Sequence, residues 1–249
     1  MEKQEVKIMT ISKNEESTLQ VSNLHMKYNE GKHNEVYVLK GIDMEIKAGQ
    51  MVAIMGPSGC GKTTLLNLIG GLDKYTTGNI QINGSLLGDF SDNEITKFRR
   101  DNIGYIFQLF NLFEDQTALE NVSLPLIMQR IEPSLALNRA KMMLQEVGLG
   151  DRFNDLPGKL SGGEQQKVAI SRALITDPKI ILADEPTGDL DTASSNDIMQ
   201  LFRRMQQENQ GMSIIIVTHS QDIANQCDRI IRIDDGKILN DQYFNTEEN

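Results

Sequence analysis

The chain has 249 residues, 39% hydrophobic and 24% charged, the balance of a soluble globular protein able to bury a sizeable core. Its formal net charge of −10 argues against a broad nucleic-acid-binding face, which needs clustered Lys and Arg. No apolar run approaches bilayer-spanning length, the polar start MEKQEVKIMTISKNEES lacks the middle of a secretory signal, and Cys60 and Cys227 make no disulfide framework.

Residues 1–17, rich in Lys, Glu, Ser and Asn, read as a flexible tail. From Thr18 to Tyr28 apolar positions alternate, through Leu19, Val21, Leu24 and Met26. A loop at 29–34 leads to Val36, Val38 and Leu39, and then Ile42, Met44 and Ile46 alternate cleanly with polar neighbours as in a half-buried strand. The opening is antiparallel β structure. Ala48-Gly49 turns it into the continuous apolar run Met51–Met55, a buried strand.

The next residues are Gly56, Pro57, Ser58, Gly59, Cys60, Gly61, Lys62, Thr63 and Thr64, followed by the helical stretch Thr64–Ile69. The pattern fits G-x-x-x-x-G-K-[ST] in the order strand, glycine loop, helix that a phosphate-binding loop requires. Glycines let successive backbone N–H groups turn inward, and the helix N-terminus adds positive partial charge. Lys62 is placed to reach the β- and γ-phosphates of a nucleotide, and the Thr63 hydroxyl to ligate Mg²⁺. Cys60 stands where serine is common; its thiol would be alkylatable if exposed.

Gly78-Asn79 and Ile80–Ile82 read as turn and strand, and Ser91 with Glu94 as a reciprocal helix cap. Ile103–Phe107 is a strand ending at Gln108. The β signal then disappears, and helical segments around Ala118–Arg130 and Ser134–Val147 mark 108–160 as a helical lobe, with Pro125 expected to disturb the first. Alternation of strands and helices resumes: a helix over Ser161–Thr176, the strand Lys179–Ala183, a helix over Thr192–Asn209, the strand Ser213–Val217, and a small closing hairpin around Asp235-Gly236. This pattern predicts an α/β fold: a mostly parallel sheet with helices on both faces, preceded by antiparallel β and interrupted by the lobe. One domain spans 18–240, and 241–249 is a tail.

Asp184 and Glu185 end an apolar strand, where ligand sites of α/β folds lie. Beside a phosphate loop, Asp184 suits the hydration shell of Mg²⁺ and Glu185 suits activation of the attacking water. Ser161, Gly162, Gly163 and Glu164 open a helix with a hydroxyl, free N–H groups and a favourable dipole, which makes an anion site or an ordinary cap.

The order GPSGCGKTT, Gln108, LSGGEQ, ILADEP, Gly188–Asp191, His219 resembles the ATP-binding-cassette (ABC) family over about Thr18 to Gly236, and LSGGEQ is its most specific mark. The resemblance implies ATP and Mg²⁺ as ligands and assigns roles. Tyr28 would stack on adenine, or be a strand-end core aromatic. Gln108 would touch Mg²⁺ or water at the lobe junction, or be an exposed polar loop residue. Asp191 would communicate across a dimer, and His219 would hydrogen-bond the γ-phosphate as a switch. The signature residues Ser161, Gly162, Gly163 and Glu164 would complete the site of a second copy, head to tail. The lobe would present a groove for a helix of a separate transmembrane permease, with Phe107, Phe110, Leu112 and Phe113 as contacts or as lobe core.

Lys167 stands where arginine is frequent after the signature, keeping charge without the fork geometry. GGLDKYTTG, IGYIFQLFNL, TALENVSLPL and ILADEPTGDLD resemble the macrolide-exporter and lipoprotein-release group of MacB and LolD type. An ATPase at the cytoplasmic face of a membrane is the implied function, with no nucleic-acid partner. The alternative is a soluble ABC ATPase acting on DNA, ribosomes or cluster assembly; such proteins usually carry a second cassette, coiled coils, zinc-binding cysteines or basic surfaces. A GTPase or kinase would leave LSGGEQ and His219 unexplained.

Overall fold

The computed structural model describes residues 17–209 and 211–244. Apart from Ser17, the tail expected at 1–17 lies outside the described residues, as do positions 245–249. Strand β1 (Ser17–Tyr28) pairs antiparallel with β2 (Val36–Lys47). Leu19, Val21, Leu24 and Met26 are all buried although the step from 21 to 24 breaks a period of two. A register shift between Val21 and Leu24, with Asn23 at φ 44°, restores both to the inner face. The two runs separated by Gly41 are one strand; its φ of 82° provides the kink between Leu39 and Ile42.

β3 (Met51–Met55) is wholly buried and runs into the phosphate loop and α1 (Lys62–Ile69). β4 (Thr77–Ile82) and the two-residue β5 (Ser85–Leu86) complete an antiparallel sheet of order β2-β1-β4-β5. Then come α2 (Asp92–Asn102), β6 (Ile103–Ile106), α3 (Ala118–Met128), α4 (Pro133–Glu146) and α5 (Gly162–Leu174). The last elements are β7 (Ile180–Asp184), α6 (Thr192–Glu208), β8 (Ser213–Val217), the single-turn α7 (Gln221–Ala224), β9 (Arg229–Asp234) and β10 (Lys237–Tyr243). The second sheet has the order β10-β9-β3-β8-β7-β6, parallel except for β10.

Side chains of the parallel strands alternate between two cores. Met51, Ala53, Ile181, Ala183, Ile214 and Ile216 face a cluster containing residues of α3, α5 and α6. Val52, Ile54, Ile180, Leu182, Ile215 and Val217 face the cluster shared with α1 and the antiparallel sheet. Continuous apolar strands are thus buried on both sides, which aims their C-terminal ends at one edge of the molecule.

Two details depart from the sequence pattern. α3 continues through Pro125 to Met128. Proline removes the bond that the Asn121 carbonyl would accept. The fully buried Asn121 side chain instead fastens the helix start: Nδ2 donates to the carbonyls of Phe113, Gln116 and Thr117, and Oδ1 accepts from the Phe113 N–H. Secondly, β10 runs on to Tyr243, past position 240, because Asp241 holds the buried Arg229 at 2.6 Å between Oδ1 and Nε.

Candidate active site

Three strand ends interlock to build the site. The Thr218 N–H donates to the Ile54 carbonyl at 3.1 Å, and the Glu185 N–H donates to the Val217 carbonyl at 2.9 Å. The residues just beyond β3, β7 and β8 are therefore fixed side by side. At the loop itself, a Cβ on Gly56 would lie 2.0 Å from the Ile233 carbonyl oxygen, so only glycine lets the loop leave β3 along β9. Gly61 caps α1 at φ 104° without a side-chain bond, leaving the helix N–H groups open to an anion. Lys62 Nζ donates to the Gly56 and Pro57 carbonyls at 2.8 and 2.9 Å, which holds the cation over the loop. Cys60 is buried beneath it, so the condition for alkylation is not met.

The Thr63 hydroxyl donates to Asp184 Oδ1 at 3.2 Å. Burial pushes the Asp184 carboxyl up from its ordinary range; the Thr63 bond and Lys62 pull it back, and Glu185 pushes it further up. Two carboxylates on successive residues with one lysine near them make a site that gains by taking up a cation. Glu185 sits at φ 46°, a left-handed conformation unusual for a non-glycine residue. His219 Nδ1–H donates to Glu185 Oε1 at 2.9 Å, which leaves the ring's Nε2 for a second partner. The Glu185 side chain is 15% exposed and that of His219 73% exposed, so the acid is sheltered and the imidazole faces outward.

Gln108 is exposed just beyond β6. A Cβ on Gly188 would sit 3.8 Å from Gln108 Nε2 and 3.6 Å from Glu185 Cβ, so the bare glycine backbone lies between the amide and the acid. Tyr28, at the end of β1, donates its hydroxyl to Asp73 Oδ2 at 3.1 Å, close to Thr64 of the loop. Burial and Asp73 raise that hydroxyl above the ordinary tyrosine range. The residue remains 38% exposed beside the loop rather than sunk in the core.

Ser161 caps α5: its hydroxyl accepts from the Glu164 N–H at 3.3 Å, and Glu164 Oε2 accepts from the Ser161 N–H at 2.8 Å. Gly162 and Gly163 lie against Leu190 and Ser194. The cavity of about 120 Å³ beside Ser161 and Gly163 has no phosphate-loop residue in its walls. Asp191 caps α6 through the Ser194 hydroxyl and N–H, at 2.6 and 3.0 Å, which hold its carboxyl below the ordinary range. The structure thus gathers Lys62, Thr63, Asp184, Glu185, His219 and Gln108 at one edge and places the signature with Asp191 in a separate cluster.

The ABC transporter family model matches residues 39–188, more than half of the chain. The chain belongs to the ABC transporter family. It is the ATP-binding, ATP-hydrolysing cassette of that family. It is 46% identical over 221 residues to the lipoprotein-releasing system ATP-binding protein LolD 1 of Rhodopseudomonas palustris, covering 88% of this chain and 97% of LolD 1. Against the macrolide export ATP-binding/permease protein MacB of Rhodopirellula baltica it is 44% identical over 225 residues, covering 90% of this cassette but 33% of MacB. The solved dimer of the cassette MJ0796 from Methanocaldococcus jannaschii, in a post-hydrolysis state bound to ADP and Pi, superposes with a TM-score of 0.84. It is 43% identical and covers 91% of this chain and 99% of that one.

Sequence reasoning missed two partners. Asp73 fixes Tyr28 from 45 positions away, and nothing in its neighbourhood signals that pairing. Arg172 of α5 donates to the Phe110 and Asn111 carbonyls at 2.9 and 2.7 Å, holding the left-handed turn that follows Gln108. Of the apolar residues after β6, Phe107 and Phe113 line a groove of about 890 Å³ between α2, β6 and α3, whereas Leu112 packs on the core.

Proposed function

We propose that this cassette works as one half of a head-to-tail pair that closes around two ATP molecules and drives separate permease subunits at the cytoplasmic face of a membrane. What carries the reading is the separation of the two clusters: a hydrolytic edge and a signature that shares no cavity with it. Lys62 and the loop N–H groups bind the phosphates, Tyr28 offers its ring to adenine, and Glu185 takes the proton of the attacking water. His219 orients Glu185 and offers Nε2 to the γ-phosphate. Ser161 and Gly163 point their helix N-terminus at the nucleotide of the second copy.

Thr63, Asp184 and Gln108 supply hard oxygen donors, two of them already 3.2 Å apart, which suits Mg²⁺. Bound there, the ion would neutralise negative charge on the nucleotide's phosphates. Thr63 would hold the ion directly and Asp184 through water. The groove beside Gln108 receives a permease segment, so that its position and the water-sensing amide are coupled. Similarity to LolD 1 and MacB supports work in export or lipoprotein release.

Mixing two inactive variants tests the pairing. Lys62→Ala and Gly163→Asp are each expected to lose ATP turnover; combined, they regain one intact site per heterodimer if the signature acts across the pair. No regain on mixing at high protein concentration contradicts it.

A further inference from the structure

The groove between α2, β6 and α3 has an apolar floor that includes Phe107, Phe113, Leu124 and Met128, with Met128 61% exposed. Around it stand Lys97, Arg99, Arg100, Arg130 and Arg172, and no Asp or Glu among the described residues lines it. This is unexpected in a chain with 25 Lys and Arg against 35 Asp and Glu. Of the five cations only Arg100 is ion-paired, with Asp101 at 2.8 Å; the other four form no ion pair among the described residues. The nearby acids are otherwise engaged, Asp92 with Lys74 and Glu94 in the α2 cap.

The placement follows from the elements. Asn93, Thr96, Lys97 and Arg100 fall at i, i+3, i+4 and i+7 of α2, one face turned to the groove, while Ile95 and Phe98 pack on the core. Arg130 follows the end of α3 at φ 64°. Arg172 comes up from α5, satisfied by two carbonyls and desolvated without a counter-charge, which pulls its guanidinium down from the ordinary range. A concave apolar surface ringed by one sign of charge concentrates the field and selects an occupant of the other sign.

We infer that the groove's occupant is an acidic amphipathic helix: a permease segment with an apolar stripe at i, i+3, i+4 and i+7, flanked by Glu or Asp that meet Lys97, Arg130 and Arg172. This rests on the permease-docking reading above and adds the chemistry of the partner. The recessed floor between two helices suits a helix face, with apolar anchors for affinity and the cation ring for selection.

The test uses three stapled helical peptides sharing one apolar stripe, with Glu, Gln or Lys on the flanks, titrated against the full chain by fluorescence anisotropy. The Glu peptide should bind about tenfold tighter than the Gln peptide, with the Lys peptide weakest, since a few partly exposed ion pairs add up to that ratio. Raising salt from about 0.05 to 0.5 M should close the gap. Lys97→Glu combined with Arg130→Glu should reverse the order, and circular dichroism melts should show this variant and Met128→Asp folded. Equal binding of the Glu and Gln peptides, still abolished by Met128→Asp, overturns the acidic-partner inference and leaves the docking groove standing. Binding that ignores both Met128→Asp and the charge reversal overturns the groove reading itself, and the inference with it.

Discussion

His219 and Glu185 meet across the ends of β8 and β7, with Nδ1 2.9 Å from Oε1. Glu185 reaches this position from a left-handed backbone, held by its own N–H on the Val217 carbonyl. A sheltered carboxylate oriented by an exposed imidazole is a base with a built-in positioning partner. His219→Ala should lower kcat by roughly 10²–10⁴-fold while ATP affinity falls far less. Glu185→Gln should lose turnover to a similar or greater extent. Equal losses in kcat and in ATP binding for His219→Ala would mean that it serves the loop and not the chemistry.

Thr63 and Asp184 form the second pair, and their prediction concerns the metal. Chelation should stop hydrolysis, and Asp184→Asn should raise the Mg²⁺ concentration for half-maximal turnover by on the order of 10²-fold. A Mg²⁺ titration of ATPase rate reads both. An unchanged Mg²⁺ requirement would remove Asp184 from the ion's shell.

The lobe's first helix offers a stability prediction. Thr117 and Glu120 form a reciprocal cap, with Thr117 N–H to Glu120 Oε2 at 2.8 Å and Glu120 N–H to Thr117 Oγ1 at 3.2 Å. Thr117→Ala should cost about 1 kcal/mol, a fall of roughly 2–4 °C in Tm at this size. The Thr117 N–H and then its hydroxyl hold the Glu120 carboxyl below its ordinary 4.5, so the folded state releases that proton more readily than the unfolded chain. The contribution is therefore complete above that ordinary value and is lost as pH falls through the lowered one. The difference in Tm between wild type and Thr117→Ala should shrink on acidification, and melts across pH 3–7 (roughly the span of carboxylate titration) would show it.

Asp241 carries a prediction for the chain's last strand. Its carboxylate pairs the Arg229 guanidinium, which is 4% exposed and also donates to the Glu45 carbonyl at 2.6 Å. Asp241→Ala leaves that cation buried and unpaired, and should cost about 3 kcal/mol in urea unfolding. Truncation after position 240 should cost at least as much.

Much of this site was legible because each of its parts is a short local motif. The loop, Asp184–Glu185 and His219 each follow an uninterrupted apolar strand, and such strands can only be interior to a covered sheet. The caps at Ser91 and Ser161 were legible to different degrees, and the one at Thr117 went unread. Ser91 and Glu94 stood before a plain helix, whereas the Ser161 motif competed with its reading as an anion site. What remained hidden depends on distant pairing. β10 looks polar because it is an edge strand, and the value of Asp241 lies in an arginine on the neighbouring strand. α3 runs on through Pro125, and the Asn121 side chain one turn earlier ties the helix start to the carbonyls of Phe113, Gln116 and Thr117. The cation ring of the groove is assembled from α2, α3 and α5, and no window of sequence contains it.

The most direct measurement is the mass of Glu185→Gln by light scattering with and without ATP at low salt. A protein that is monomeric alone and dimeric only with ATP, with the shift abolished by adding Gly163→Asp, is the predicted result. An ATP-saturated protein that stays monomeric at high concentration would contradict the head-to-tail pair, and Ser161 and Gly163 would lose their role at the second nucleotide.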